Sequence, residues 1–131
     1  MSTLFRTRGF TKYYGSVQSN AIREAARLTA AVEHPDVPKV KVGAYRSLVA
    51  ELLTTRADYQ RYSAMAEGTT YHTGALPLSA AQAEAMARFT EVSARAVEYF
   101  TEDLGWSIER ARAIVADLVA EHEDRAREYL G

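Results

Sequence analysis

The sequence contains no cysteine. Disulfides, thiolate metal sites and cysteine nucleophiles are therefore excluded. Proline is scarce, at Pro35, Pro38 and Pro77 only, and each marks a place where a helix is not expected to continue. Asparagine occurs once, at Asn20, and lysine only at Lys12, Lys39 and Lys41, against thirteen arginines. Few thermolabile side chains are one trend in proteins from hot environments, although scarce lysine runs against that trend. No apolar run approaches the roughly 20 residues that span a bilayer. The opening residues are cationic but lack the apolar core of a secretory signal, so secretion by the usual route is not expected.

What is present fits one domain. The chain has 131 residues, 47% hydrophobic and 25% charged, enough to bury a core of its own. Its net charge of −1 conceals a division. Residues 1–62 carry ten cations and five acids, for +5, while residues 63–131 carry six cations and twelve acids, for −6. Such a split suggests different roles for the two halves, the basic one facing an anionic partner.

Four helical segments are legible, and no strand pattern competes. The first is expected over about residues 16–33, capped by Ser16 or Ser19 and stopped before Pro35, with a thin apolar side of Ile22, Ala25, Ala26, Leu28 and Val32. Arg23 and Arg27, four apart, share one face. Residues 34–42 read as a proline-directed extended linker in which Lys39 and Lys41 alternate with valines. The second helix spans about residues 43–67, with Tyr45, Leu48, Val49, Leu52, Tyr59 and Tyr62 at helical spacing and Gly68 just past its end.

The third begins at a capping box, Ser79 with Gln82 three residues later, and buries Ala85, Met86, Phe89, Val92, Ala96, Val97 and Phe100. Glu84–Arg88 and Glu91–Arg95 are spaced as i,i+4 ion pairs on its outer face. Gly105 stops it and Ser107 caps the fourth, whose inward row is Ile108, Ala111, Ile114, Val115, Leu118, Val119, His122, Ala126 and Tyr129. The short break makes the last two helices an antiparallel hairpin. The fold class that follows is all-α: an extended basic N-terminal arm over residues 1–15, a helix, and a helical bundle ending in that hairpin. Residues 1–42 are expected to act as a basic unit and residues 43–131 as the helical core.

Signatures of chemistry are missing. His34, His72 and His122 fall in a linker, a loop and the last helix, whereas a zinc site needs three or four convergent ligands. No Glu-x-x-His repeat supplies a di-metal carboxylate site. No serine sits in a nucleophile elbow, and the glycines flanking residues 69–74 form no phosphate loop. The chain is therefore not expected to be an enzyme, nor to hold a metal or cofactor.

The residues that do invite a function are in RTRGFTKYYG, positions 6–15. Arg6, Arg8 and Lys12 are interleaved with Phe10, Tyr13 and Tyr14, with two glycines and no acid. Arginine forks onto phosphate oxygens and glycine lets a chain follow a curved surface. Arg23, Arg27, Lys39, Lys41 and Arg46 continue the cationic series. Together these ten residues form the candidate DNA-binding set: Arg6, Arg8, Lys12, Tyr13, Tyr14, Arg23, Arg27, Lys39, Lys41 and Arg46. Contacts of this kind position a protein on duplex without reading its sequence.

The opening segment resembles that of the major capsid proteins of rod-shaped and filamentous archaeal viruses, at Arg6, Thr7, Arg8, Phe10, Tyr14 and Gly15, followed by an alanine-rich helix. The resemblance covers residues 1–15 and, beyond them, chain length and the order of basic arm then helical core. It implies a homodimer, or a heterodimer with a paralogous capsid protein, whose N-terminal helices wrap double-stranded DNA held in the A form. It further implies a helical nucleocapsid assembled in the host cytoplasm, with the C-terminal helices outermost; some relatives add a lipid envelope, which nothing in this sequence indicates. Glu24 and Glu33 in the first helix depart from a purely basic surface. Two other readings remain: a helical assembly protein of a tailed phage, such as a connector or scaffold, and a small DNA-binding regulator, against which the acids Glu121, Glu123 and Asp124 of the last helix count.

Overall fold

Four amphipathic helices joined by short connections have few ways to bury their apolar sides. A computed structural model describes residues 10–68 and 78–130, with side chains over residues 19–63 and 80–128. Helix α1 spans Phe10–Ala31, α2 Val42–Gly68, α3 Leu78–Glu102 and α4 Ile108–Leu130, with one 3₁₀ turn at Lys39–Lys41. The protein is all-α: the described residues contain no strand.

The helices form a ring. α1 packs on α2 and α4, α3 packs on α2 and α4, and α2 touches α4 across the middle, while α1 and α3 make no contact among the described residues. Cross-helix pairs give the directions. Ser63 of α2 meets Gln82 of α3, and Glu51 of α2 meets Arg95 of α3, so numbers fall along α3 as they rise along α2 and the two are antiparallel. α2 is enclosed by all three other helices. Its core positions are accordingly wider than one stripe: Tyr45, Val49, Leu52, Leu53 and Ala57 are all buried. Tyr59 and Tyr62, expected in its row, are half-buried at the edge instead.

Three expectations need correction. The first helix starts at Phe10, not near Ser16, so residues 10–15 are not an extended arm; residues 1–9 lie outside the described residues. Gly15 costs a helix interior only about 1 kcal/mol, and its flanking residues contain no proline to stop the helix. The division at residue 42 runs through a single core, because Ile22, Ala25, Ala26 and Ala30 of α1 are buried with residues of α2, α3 and α4. At the start of α3, the helix begins one residue before Ser79, and the Gln82 amide donates to Ser63 Oγ of α2 at 3.2 Å. The side chain read as half of a capping box therefore ties two helices together.

The α3–α4 corner follows local chemistry. The Tyr99 carbonyl accepts from the N–H groups of Asp103 (2.8 Å) and Leu104 (3.2 Å), and the Phe100 carbonyl accepts from Trp106 N–H at 3.0 Å. Gly105 reverses the chain at φ 74°. Ser107 Oγ then accepts from Arg110 N–H at 3.1 Å, the side-chain cap of α4. Nothing lies within 4 Å of a Cβ added at Gly105, so Gly105→Ala meets only the left-handed backbone penalty. We expect a loss of about 1–2 kcal/mol in urea unfolding; an unchanged midpoint would contradict this account of the corner.

Behind the corner sits an aromatic cluster. Phe100 and Trp106 rings are 5.2 Å apart, Tyr45 and Phe100 5.7 Å, and His34 and Trp106 5.0 Å. The linker thereby packs onto the hairpin, with Val37 buried and an Asp36–Arg110 ion pair outside. The Arg110 guanidinium lies 4.5 Å from the Trp106 ring centroid.

Candidate nucleic-acid interface

The continuity of α1 decides how its cations are arrayed. Positions 12, 16, 19, 23 and 27 follow one another at steps of four, three, four and four, which is one face of an α-helix. Their residues are Lys12, Ser16, Ser19, Arg23 and Arg27, with no acid in the row. The row is about 22 Å long at 1.5 Å per residue. Ile22, Ala25 and Thr29, all buried, lie on another face, toward α2 and α4.

Within this row the two arginines differ. Arg23 is exposed and makes no ion pair among the described residues. Arg27 forks onto Glu24, its Nε donating to Oε1 at 3.0 Å and its second nitrogen to Oε2. The Arg27 guanidinium holds the Glu24 carboxyl below the usual carboxylate range, and the pair is locally neutral.

The other predicted residues are scattered. Lys12, Tyr13 and Tyr14 lie on the first turns of α1, while Arg6 and Arg8 lie outside the described residues. Lys39 is exposed on the 3₁₀ turn beside Val40, which is 90% exposed. Lys41 donates through Nζ to the Asp103 carbonyl, where a cation suits the open C-terminal end of α3. Arg46 pairs with Glu33 at 3.1 Å. The linker lysines and Arg46 therefore belong to the opposite end of α1 from Lys12, and two of these three are engaged within the molecule.

Three ion pairs cross the division of charge along the sequence. Arg56 reaches Glu123, Arg95 reaches Glu51 and Arg110 reaches Asp36, each joining the basic half to the acidic half. Arg95 chooses Glu51 on α2 over the expected Glu91, one turn away on its own helix; forked at 2.7 and 3.3 Å, that bond outweighs a single solvated i,i+4 contact. Exposed pairs of this kind contribute about 0–1 kcal/mol each.

A polar layer that the sequence did not announce crosses the bundle where α1, α2 and α4 meet. Arg56 (2.7 Å) and Gln60 Nε2 (3.3 Å) both donate to Glu123 Oε2. With the Gln60 amide oriented that way, its Oε1 accepts from His122 Nε2–H at 2.6 Å. Arg125 donates to Thr29 Oγ1 at 2.8 Å, and Thr29 donates to the Ala25 carbonyl at 2.8 Å. His122 is fully buried, in keeping with its position in the inward row of α4. The reason is its place on α4, four residues before the buried Ala126 and facing α1.

An open groove of about 280 Å³ lies between α2 and α3, lined by Leu48, Arg95, Glu98, Tyr99, Glu102 and Asp103. Among the described residues no group of three histidines or acids is placed to hold a metal ion, and no helix is long and apolar enough to cross a membrane. No protein-family model, curated protein or solved structure matches the chain.

Proposed function

We propose that the chain is a structural subunit, not an enzyme, that sheathes double-stranded DNA through sequence-independent phosphate contacts, as the capsid proteins of rod-shaped and filamentous archaeal viruses do. The observation that carries this reading is the acid-free row Lys12, Ser16, Ser19, Arg23 and Arg27 on one unbroken helix. Small polar residues between cations let a helix backbone come close to a phosphate chain. Arg6 and Arg8 extend the basic sequence ahead of α1. A duplex carries one charge per roughly 1.7 Å, so one subunit neutralises little and the sheath needs many copies. Pairing with itself or with a paralogue into a helical nucleocapsid, on DNA in the A form, completes the proposal; the virion is then its location.

A second reading is favoured by one observation. Arg46, Arg56 and Arg61 of the basic half are already paired with Glu33, Glu123 and Asp58, as suits an assembly protein that binds no nucleic acid.

Duplex DNA of random sequence separates the two. We expect binding whose affinity falls steeply with salt. The double change Arg23→Gln and Arg27→Gln lowers affinity and reduces the salt slope by up to about two, at roughly 0.9 per phosphate contact. Glu24→Gln, which removes a negative charge beside the row, raises affinity. Arg88→Gln with Arg112→Gln, both exposed in the acidic half, changes little. Salt-insensitive binding, or equal loss from both arginine pairs, would overturn the DNA reading in favour of the second.

A further inference from the structure

We propose that the polar layer around His122 is an acid-sensitive latch that holds the C-terminal half of α4 against α1 and α2. The geometry makes this layer electrically balanced. On α2, Arg56 is balanced by Glu123 of α4. On α4, Arg125 is balanced by Glu121 at 2.8 Å. Further along α2, Arg61 is balanced by Asp58 at 2.9 Å. α1 contributes Thr29 and the Ala25 carbonyl, and α3 contributes the Phe89 ring, 5.2 Å from the Arg56 guanidinium. One more positive charge therefore has no counterion left. The Glu123 carboxylate is already shared between Arg56 and Gln60.

His122 is the group that can deliver that charge. Its side chain is fully buried. Its Nε2–H is committed to Gln60, and its Nδ1, a bare acceptor in that tautomer, has no hydrogen bond; the neighbouring Ala25 carbonyl is an acceptor too and can offer it no proton. Burial pushes its pKa below the ordinary 6.5; Glu123 and the Ala25 carbonyl favour the imidazolium, Arg56 opposes it, and burial dominates. The sign follows. The unfolded chain binds the proton more readily than the folded one, so the contribution of His122 to stability is full above its ordinary pKa and is lost as pH falls below it. The first segment to yield is the one that carries the charge, α4 from Glu121 to Glu128.

Urea unfolding and amide hydrogen exchange of the full chain between about pH 8 and about pH 5 test this. The expected result is a folding constant that falls by up to about tenfold per pH unit below the histidine range, with exchange accelerating first in α4 beyond Glu121. His122→Phe flattens the dependence, while His34→Phe, which alters the histidine of the aromatic cluster, leaves it. A wild-type protein with no loss over this range overturns the latch, as does a His122→Phe variant with the wild-type slope. Should that variant not fold, NMR of the wild-type imidazole decides: titration of His122 in the intact bundle, without faster exchange in α4, overturns the proposal, and titration coincident with that exchange upholds it.

Discussion

Replacing Phe100 by alanine is expected to lower stability by about 3–5 kcal/mol, a drop of roughly 10–20 °C in the unfolding midpoint for a domain of this size. Phe100 is the largest of the fully buried side chains. Its ring lies against Tyr45 of α2 and Trp106 of the corner, and through Trp106 it reaches His34 of the linker. Removing it leaves a cavity bounded by rigid rings that collapse poorly. The chain holds one tryptophan, so Trp106 fluorescence reports the same transition as circular dichroism. Phe100→Leu, which refills most of the volume, should lose much less. A cost below about 1 kcal/mol for alanine would mean that the aromatic cluster does not hold linker and hairpin together.

Enlarging α1 at Ala25 is expected to be harmful for the opposite reason. Ala25 is 0% exposed, and its carbonyl sits between Thr29 and His122. A leucine there must push α1 off α4, at about 1–3 kcal/mol or more. The same change at Ala113, exposed on α4, should stay within about 0.5 kcal/mol. Urea unfolding of both variants distinguishes a close helix contact from general intolerance of leucine; equal effects would show that α1 is not tightly seated.

The four helices were legible because periodicity, Gly105 and Ser107 are local signals, and the local backbone obeyed them. The start of α1 was not, since Gly15 reads equally as a boundary and as a tolerated interior residue. Partner choice was the larger loss. Gln82 was matched to Ser79 and Arg95 to Glu91 by spacing, yet each crosses to α2, to Ser63 and to Glu51. The candidate DNA-binding set shows the same limit. Its cations could be found by composition, but sequence could not reveal that Arg46 is answered by Glu33 or that Lys41 closes the end of α3. The polar layer escaped altogether, because Glu123 and Gln60 look like surface residues until α2 and α4 are brought together.

Among the described residues, nine of the eighteen buried apolar side chains are alanines. Alanine has no rotamers to surrender when it is enclosed, whereas leucine or methionine gives up about 0.5–2 kcal/mol of side-chain entropy. The interior is thus assembled with little ordering cost per contact but also with little apolar area per residue. Such a core is short of driving force and short of opposition at once. Because the heat-capacity change on unfolding scales with the apolar area exposed, such a core should give a stability curve flatter with temperature than a leucine-filled bundle of the same length.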